Sequence, residues 1–205
     1  MIRTFLAVEP SEPLRTNLSK LQQELKQRLA QELSGDVRIS WVQPTSIHLT
    51  IKFLGDIDEQ LVAPMHDAMS NAVQGHHAID IPLERFGVFP RPQQPRVLWV
   101  GPSEPWEQDE DAKRLALLHQ AIEACCRALD FAPETRPLSP HLTLARIKEG
   151  GRSMGQVLAK SGMMDRALAL GSFAVDAIVL IKSELKPTGS LYTTLWRSRL
   201  GPGPV

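Results

Sequence analysis

The sequence predicts an α+β fold with a coarse two-fold organisation, and three observations carry that expectation. Strand-like and helix-like segments alternate irregularly, with hairpins among them, which disfavours a doubly wound parallel sheet. A strand, a helix and a strand beginning His-Leu-Thr lie ahead of position 100, and a comparable set follows it. The two His-Leu-Thr segments are nearly identical octapeptides: His48-Leu49-Thr50-Ile51-Lys52-Phe53-Leu54-Gly55 and His141-Leu142-Thr143-Leu144-Ala145-Arg146-Ile147-Lys148.

Ile2 to Val8 reads as a strand stopped by Glu9-Pro10-Ser11. Ser11 with Pro13 starts a helix in which Leu14, Leu18, Leu21, Leu25 and Leu29 recur at helical spacing, until Gly35-Asp36 ends it. Val37 to Trp41 is short and extended, Pro44-Thr45 turns, and Ile47 to Leu54 forms the first motif strand. From Asp58 to Val73 the residues Leu61, Met65, Ala68, Met69 and Ala72 mark a second helix. Ile79 to Val88 reads as one strand, interrupted by Pro82 and therefore an edge or bulged one.

The Pro90–Pro95 turn, with Arg91 in it and Arg96 just past it, joins that strand to Val97–Val100 as a hairpin. Residues 101–111 are expected as an acidic surface loop, and Ala112 to Leu129 as a strong helix. Pro133 to Pro140 is a constrained approach to the second motif strand. Beyond the Gly150-Gly151 turn come a weak helix (Met154–Ser161) and strands at Leu168–Phe173 and Val175–Lys182. A turn at Lys186-Pro187-Thr188-Gly189 then leads to a closing strand at Leu191–Trp196. Residues 1–199 are expected to make one domain, with 200–205, rich in Gly and Pro, as a disordered tail.

At 205 residues the chain can bury a sizeable core, as one large domain or two lobes sharing an interface. Lys+Arg and Asp+Glu each number 23, so the net charge is zero. That balance argues against coating long nucleic acid through bulk electrostatics, while leaving room for a few cations to recognise one phosphate. Two adjacent cysteines, Cys125 and Cys126, cannot frame a disulfide-stapled secreted domain. No signal peptide precedes Phe5 and no apolar run approaches membrane-spanning length, so a reducing cytoplasm is the expected compartment.

On a strand, residues two apart share a face. Each motif His therefore points the same way as its Thr, while Leu49 and Ile51, or Leu142 and Leu144, point into the protein. Side by side, the two strands present two imidazoles and two hydroxyls on an apolar backing. Histidine titrates nearest neutrality, so this pairing suits acid–base chemistry on an anion. One strand of this kind is ordinary; the duplication makes it a signal.

These residues resemble the two-histidine (2H) phosphoesterases, which carry one His-x-Thr-x motif per half, and within them the RNA 2′,3′-cyclic phosphodiesterases, also called LigT-like or 2′–5′ RNA ligases. The resemblance extends to Arg3-Thr4-Phe5-Leu6-Ala7-Val8, to Phe53-Leu54-Gly55 and to Arg96-Val97-Leu98-Trp99-Val100-Gly101. It includes Arg146 after the second motif, and Ser183, Leu185, Pro187, Gly189, Tyr192 and Leu195 near the end. It covers about residues 1–197. It implies a bilobal fold, with two antiparallel sheets related by a pseudo-two-fold, flanking helices and a central cleft holding the active site.

The chemistry matches those residues. Opening a strained cyclic phosphodiester needs water activated on one side of phosphorus and a proton delivered to the departing oxygen on the other. One neutral and one protonated imidazole do both near neutral pH. Thr50, Thr143 and the Arg146 guanidinium can hold the non-bridging oxygens. No metal or other cofactor is required. The residues alone say only that the two proton-transfer roles are split. The resemblance implies that His48 donates to the leaving 3′ oxygen and that His141 accepts from water, leaving a 2′-phosphate. It also implies an RNA substrate with a cyclic-phosphate end, such as a tRNA half or a short oligonucleotide, with reversible 2′–5′ ligation as an associated activity. A monomer is expected.

Arg146 stands five residues past His141, out of phase with the His141/Thr143 face, so it needs its long stem or a local bulge to reach the cleft. Lys52 shares the face of His48 and Thr50 by period two, either adding positive potential or standing in solvent. Phe53 and Trp99 are equally compatible with base stacking and core packing. His66, His76, His77 and His119 lack a Thr partner, and the His76-His77 pair is poor zinc geometry. The loops around Gln93 and at 104–111 show no base-reading pattern. Two other readings stay open: hydrolysis of a different 2′-linked nucleotide (a 2′–5′ oligoadenylate or a cyclic-phosphate ADP-ribose) and non-catalytic RNA-end binding. The intact His and Thr pairs argue against the second.

Overall fold

Two four-stranded antiparallel sheets face each other in the computed structural model, which describes residues 1–33, 35–186 and 189–202. In chain order the elements are β1 (Ile2–Val8), α1 (Glu12–Glu32), β2 (Arg38–Trp41), β3 (Leu49–Ile57), α2 (Val62–Val73), β4 (Ile79–Pro82), β5 (Arg85–Phe89) and β6 (Val97–Gly101). There follow α3 (Glu110–Ala128), β7 (Leu142–Glu149), α4 (Gly151–Ser161), β8 (Ser172–Val175), β9 (Ala177–Lys186) and β10 (Gly189–Arg199). The first sheet has the order β10-β9-β1-β3 and the second β2-β7-β6-β5, while β4 and β8 form a separate two-stranded ribbon.

The two-fold relation is visible in the order β9-β1-β3 against β5-β6-β7, each ending on or next to a motif strand. The lobes are not the two halves of the chain. β2 crosses over to pair with β7, and β9 and β10 return from the C-terminal region to complete the sheet of β1 and β3. These exchanges tie the lobes together.

β1 lies in the middle of its sheet and is buried on both faces. Leu6 and Val8 enter the main core, whereas Phe5 and Ala7 join Val179 and Ile181 in a smaller cluster on the opposite face. The leucine stripe of α1 (Leu14, Leu18, Leu21, Leu25 and Leu29) is buried as its spacing predicts. Each such fully buried leucine contributes about 1.5–3 kcal/mol. Helix α1 packs behind the second sheet, where the Gln22 amide donates to the carbonyls of Val42 (2.8 Å) and Leu144 (2.9 Å). Behind the first sheet lie α2, against β10, and α3, joined to β3 by a buried ion pair.

Three sequence expectations need correction. The stretch from Ile79 to Val88 is two strands in different sheets, because Pro82 has no N–H to continue the ladder and Leu83 turns to bond Gly171. The 101–111 loop is not wholly superficial, since a 3-10 turn at Glu104–Gln108 buries Trp106. Two residues of the tail expected from residue 200 onwards are held by the fold: Leu200 is buried and Gly201 donates to the His76 carbonyl at 2.7 Å. Residues 203–205 of that expected tail, and Pro187 and Thr188 of the expected turn, lie outside the described residues.

Candidate active site

Each motif histidine stands one residue ahead of its strand, His48 before β3 and His141 before β7. In both, Nδ1 lies 2.8 Å from the carbonyl of the residue two positions earlier, Ser46 for His48 and Ser139 for His141. A carbonyl only accepts, so Nδ1 carries the proton in the neutral ring and Nε2 is left for the cleft. The repeated element is therefore longer than His-Leu-Thr: it runs Ser-x-His-Leu-Thr in both copies, as Ser46-Ile47-His48-Leu49-Thr50 and Ser139-Pro140-His141-Leu142-Thr143.

Aromatic rings seat both imidazoles. Phe5 and Tyr192 pack against His48 with centroids at 4.8 and 5.4 Å, and Phe89 meets His141 edge-on at 5.0 Å. Trp99 lies farther from His141, at 6.2 Å, stacked on Phe89. It can lie flat only because Gly87 is beneath it, where a Cβ would come within 2.2 Å of the indole. At 6% exposure Trp99 is a seat for His141 and not a platform for a base.

Burial depresses both imidazoles below the ordinary value of 6.5. The serine carbonyls partly oppose this, and the Arg146 charge depresses both further. Glu9 favours the charged form of His48, and no acidic residue among those described has that influence on His141. The His141 charge opposes that of Glu9 at His48, and the free protein holds both rings neutral at neutral pH. A bell-shaped kcat/KM profile centred on the acid side of 6.5 is expected, since that parameter reports the free enzyme. An anion between the rings raises both, so the kcat profile should lie at higher pH than the kcat/KM profile. Coincident profiles would show that the rings do not sense the bound anion.

The strand register explains which other side chains reach the cleft. Where β7 pairs with β6, Trp99 opposes Thr143 and Leu98 opposes Ala145, so Leu144 is an extra, bulged residue. Where β3 pairs with β1, Ala7 opposes Thr50 and Leu6 opposes Lys52, making Ile51 the equivalent bulge. A bulge shifts the alternation by one. The fifth residue from each histidine, out of phase in a regular strand, is therefore turned into the cleft: Arg146 in one lobe and Phe53 in the other. A helix side chain braces the second of these bulges: Gln22 of α1 donates to the Leu144 carbonyl.

The same shift corrects the expectation for Lys52. It points away from the cleft and is 5% exposed. Its Nζ donates to both carboxylate oxygens of Glu123 (2.8 and 2.9 Å) and to the Ala132 carbonyl (2.8 Å). Glu123 in turn accepts from the Glu134 N–H at 3.1 Å. This node ties the first motif strand to the segment that delivers His141.

His48, Thr50, His141, Thr143 and Arg146 all line one cleft of about 380 Å³ between the sheets. Phe53, Tyr192, Ser183, Leu185 and Arg3 share it. Tyr192 escapes a local reading because β10 brings it from far along the chain; Ser46 and Ser139 are visible as part of the repeat. A wider groove of about 770 Å³ runs between α3 and residues 133–140, but among the described residues His119 is its only histidine and no His–Thr pair faces it. Among the described residues, no helix is long and apolar enough to cross a membrane.

The family described as LigT like Phosphoesterase matches residues 8–99 and 107–192. An RNA 2′,3′-cyclic phosphodiesterase of Methanothermobacter thermautotrophicus is 31% identical over 199 residues, covering 97% of this chain and 99% of the relative. The enzyme of that name from Aquifex aeolicus is 30% identical, covering 89% and 93%. In fold, the chain is similar to a crystal structure from Thermus thermophilus (TM-score 0.71, 23% identity, 98% and 99% coverage). It is also similar to E. coli LigT (TM-score 0.65, 20% identity, 97% of each chain). With the paired Ser-x-His-Leu-Thr elements facing a single cleft and the match running through both of them, the chain belongs to the LigT-like phosphoesterase family.

Proposed function

We propose that this cleft hydrolyses RNA 2′,3′-cyclic phosphodiester ends to 2′-phosphomonoesters by two-histidine acid–base catalysis. The observation that carries the reading is the pair of imidazoles fixed in the same tautomer, each beside a threonine, with Nε2 left for one cleft that also holds Arg146. His141 Nε2 takes a proton from water as the oxygen bonds to phosphorus. The P–O3′ bond breaks, and His48, carrying the proton that Glu9 favours, protonates the departing 3′ oxygen. Phosphate remains on the 2′ oxygen, and the two rings end with their protonation states exchanged. Thr50 and Thr143 hydroxyls and the Arg146 guanidinium stabilise the growing charge on the non-bridging oxygens. The same sequence with a 5′ hydroxyl in place of water gives the 2′–5′ ligation associated with the family: His141 takes the hydroxyl proton as the 5′ oxygen bonds to phosphorus, the P–O3′ bond breaks, and a 2′–5′ diester and a 3′ hydroxyl result.

The zero net charge suits a substrate recognised at its end, a tRNA half or short oligonucleotide, by a monomer in the cytoplasm. The reading is tested by offering cyclic-phosphate-ended RNA beside a 2′–5′ oligoadenylate and a cyclic-phosphate ADP-ribose. Faster turnover of the RNA end is expected, and exclusive turnover of either alternative would replace it.

Arg146→Ala should weaken binding of a nucleoside 2′-phosphate by about 10-fold or more, since hydrogen bonds to charged groups contribute about 1.5–3 kcal/mol. Gln22→Met removes the brace on the bulge that aims the arginine and should weaken the same binding by a smaller factor. In an Arg146→Ala background the Gln22→Met effect should vanish, because Gln22 acts through the arginine. Calorimetric titration of the four proteins checks this, and additive losses would dissociate the two residues.

A further inference from the structure

The zero net charge conceals an uneven distribution of cations. Beyond Arg146, β7 continues through buried Ile147 to Lys148 and Glu149, both exposed. On the neighbouring β2, exposed Ser40 opposes Arg146 and exposed Arg38 opposes Glu149. The register therefore skips Lys148 and leaves it as a bulged residue. The loop before β6 meets this end of β7, where the Arg96 guanidinium donates to the Lys148 carbonyl at 3.2 Å. The same loop packs on the start of α4, close enough that a Cβ on Gly151 would come within 3.0 Å of the Pro95 carbonyl. That contact brings Arg152 to the same corner.

Arg96, Lys148 and Arg152 are exposed, and among the described residues none of them makes an ion pair. Of the carboxylates nearby, Glu149 is taken by Arg38 at 2.5 Å, and Asp36 accepts from the Ser153 hydroxyl at 2.8 Å. Arg3, on the opposite wall of the cleft, has Asp56 as its cross-strand neighbour. Uncompensated positive charge thus leaves the cleft from Arg146 along β7.

We infer that this corner is the path of the RNA strand upstream of its terminal nucleotide, with backbone phosphates passing from Arg146 to Lys148, Arg96 and Arg152. The inference rests on the proposed cyclic-phosphate reading and extends it to the part of the RNA that lies outside the cleft. A cyclic phosphate closes the 3′ end, so the rest of the strand leaves in the 5′ direction with one negative charge per nucleotide. Lys148 stands two residues past Arg146, about 6–7 Å along a strand, a step comparable with one nucleotide of extended backbone. Phosphate contacts fix register and carry no sequence information, so the path accepts any sequence. The preferred substrate is a single-stranded end several nucleotides long, bound better than a nucleoside cyclic phosphate.

The test measures binding of RNAs of one to six nucleotides, each ending in a 2′-phosphate, over a series of salt concentrations. Wild-type affinity should rise over the first few nucleotides and then level. The Lys148→Ala/Arg152→Ala variant should bind the mononucleotide as wild type does and lose most of the gain with length. Each phosphate contact on a single strand adds about 0.7 to the slope of log affinity against log salt, so removing two should lower it by about 1.4. Raising salt from about 50 to 200 mM should then weaken the wild-type complex with the longest RNA about 7-fold more than the variant complex. Length-independent affinity in wild type, or an unchanged length gain and salt slope in the variant, would overturn the path. These ligands are not turned over, so the result is separate from catalysis. A length gain that needs Lys148 and Arg152 supports the path even if cyclic-phosphate RNA is not hydrolysed. Hydrolysis without that gain overturns the path and leaves the cyclic-phosphate reading standing.

Discussion

Replacing either His48 or His141 by alanine is expected to lower kcat by about 10²–10⁴-fold, the usual worth of a positioned proton transfer. Both rings occupy the cleft wall rather than the main core, so the folded state should survive and the loss should appear in turnover. The pH profiles of the residual activity should differ in sign. In the wild-type protein the alkaline limb reports loss of the proton from the acid, and the acid limb reports protonation of the base. His48→Ala should abolish the alkaline limb and His141→Ala the acid limb. The reverse pattern would exchange the two roles, and near-normal turnover in either variant would remove that residue from the mechanism.

The second large effect concerns stability. Lys52→Met leaves the Glu123 carboxylate buried without its cation and the Ala132 carbonyl without its donor. Breaking a buried pair on one side costs about 3–5 kcal/mol, or about 6–20 °C in Tm for a chain of this size. Lys52→Met/Glu123→Leu should recover much of the loss, because an apolar pair of similar volume tolerates the same site. Part should remain lost, since Ala132 and Glu134 still lack their partners. Thermal unfolding of the single and double variants checks this; a Tm within about a degree of wild type for Lys52→Met would mean that the ion pair contributes nothing.

Lys52 also shows where a local reading of the sequence ends. Period two carries His48 and Thr50, or His141 and Thr143, to one face, and both pairs line one cleft. The same rule misplaces everything after the fourth residue of each motif, because the bulges at Ile51 and Leu144 exist only through pairing with β1 and β6. The brace on the Leu144 bulge, Gln22, comes from a helix distant in sequence. Arg146 can be associated with the cleft by resemblance, yet the reason it reaches there is a register that no nearby residue encodes. Phe53 is undecided from sequence for the same reason, and the bulge makes it the counterpart of Arg146. The helices and most strands are legible because Leu14 to Leu29 bury themselves at the helical period, and because β9 opens with a continuous apolar run, Ala177 to Ile181, buried on both faces. The exchange of β2 and of β9–β10 between lobes has no such local period, and Tyr192 reaches His48 only through it.

The most direct measurement of the central claim is the position of the product phosphate. An RNA ending in a 2′,3′-cyclic phosphate is incubated with the protein in EDTA, and the opened end is mapped as a 2′- or a 3′-phosphomonoester. With His48 protonating the 3′ oxygen and His141 activating water, the product is the 2′-phosphate, formed at the same rate with and without the chelator. A 3′-phosphate product, or turnover lost on chelation, would contradict the account.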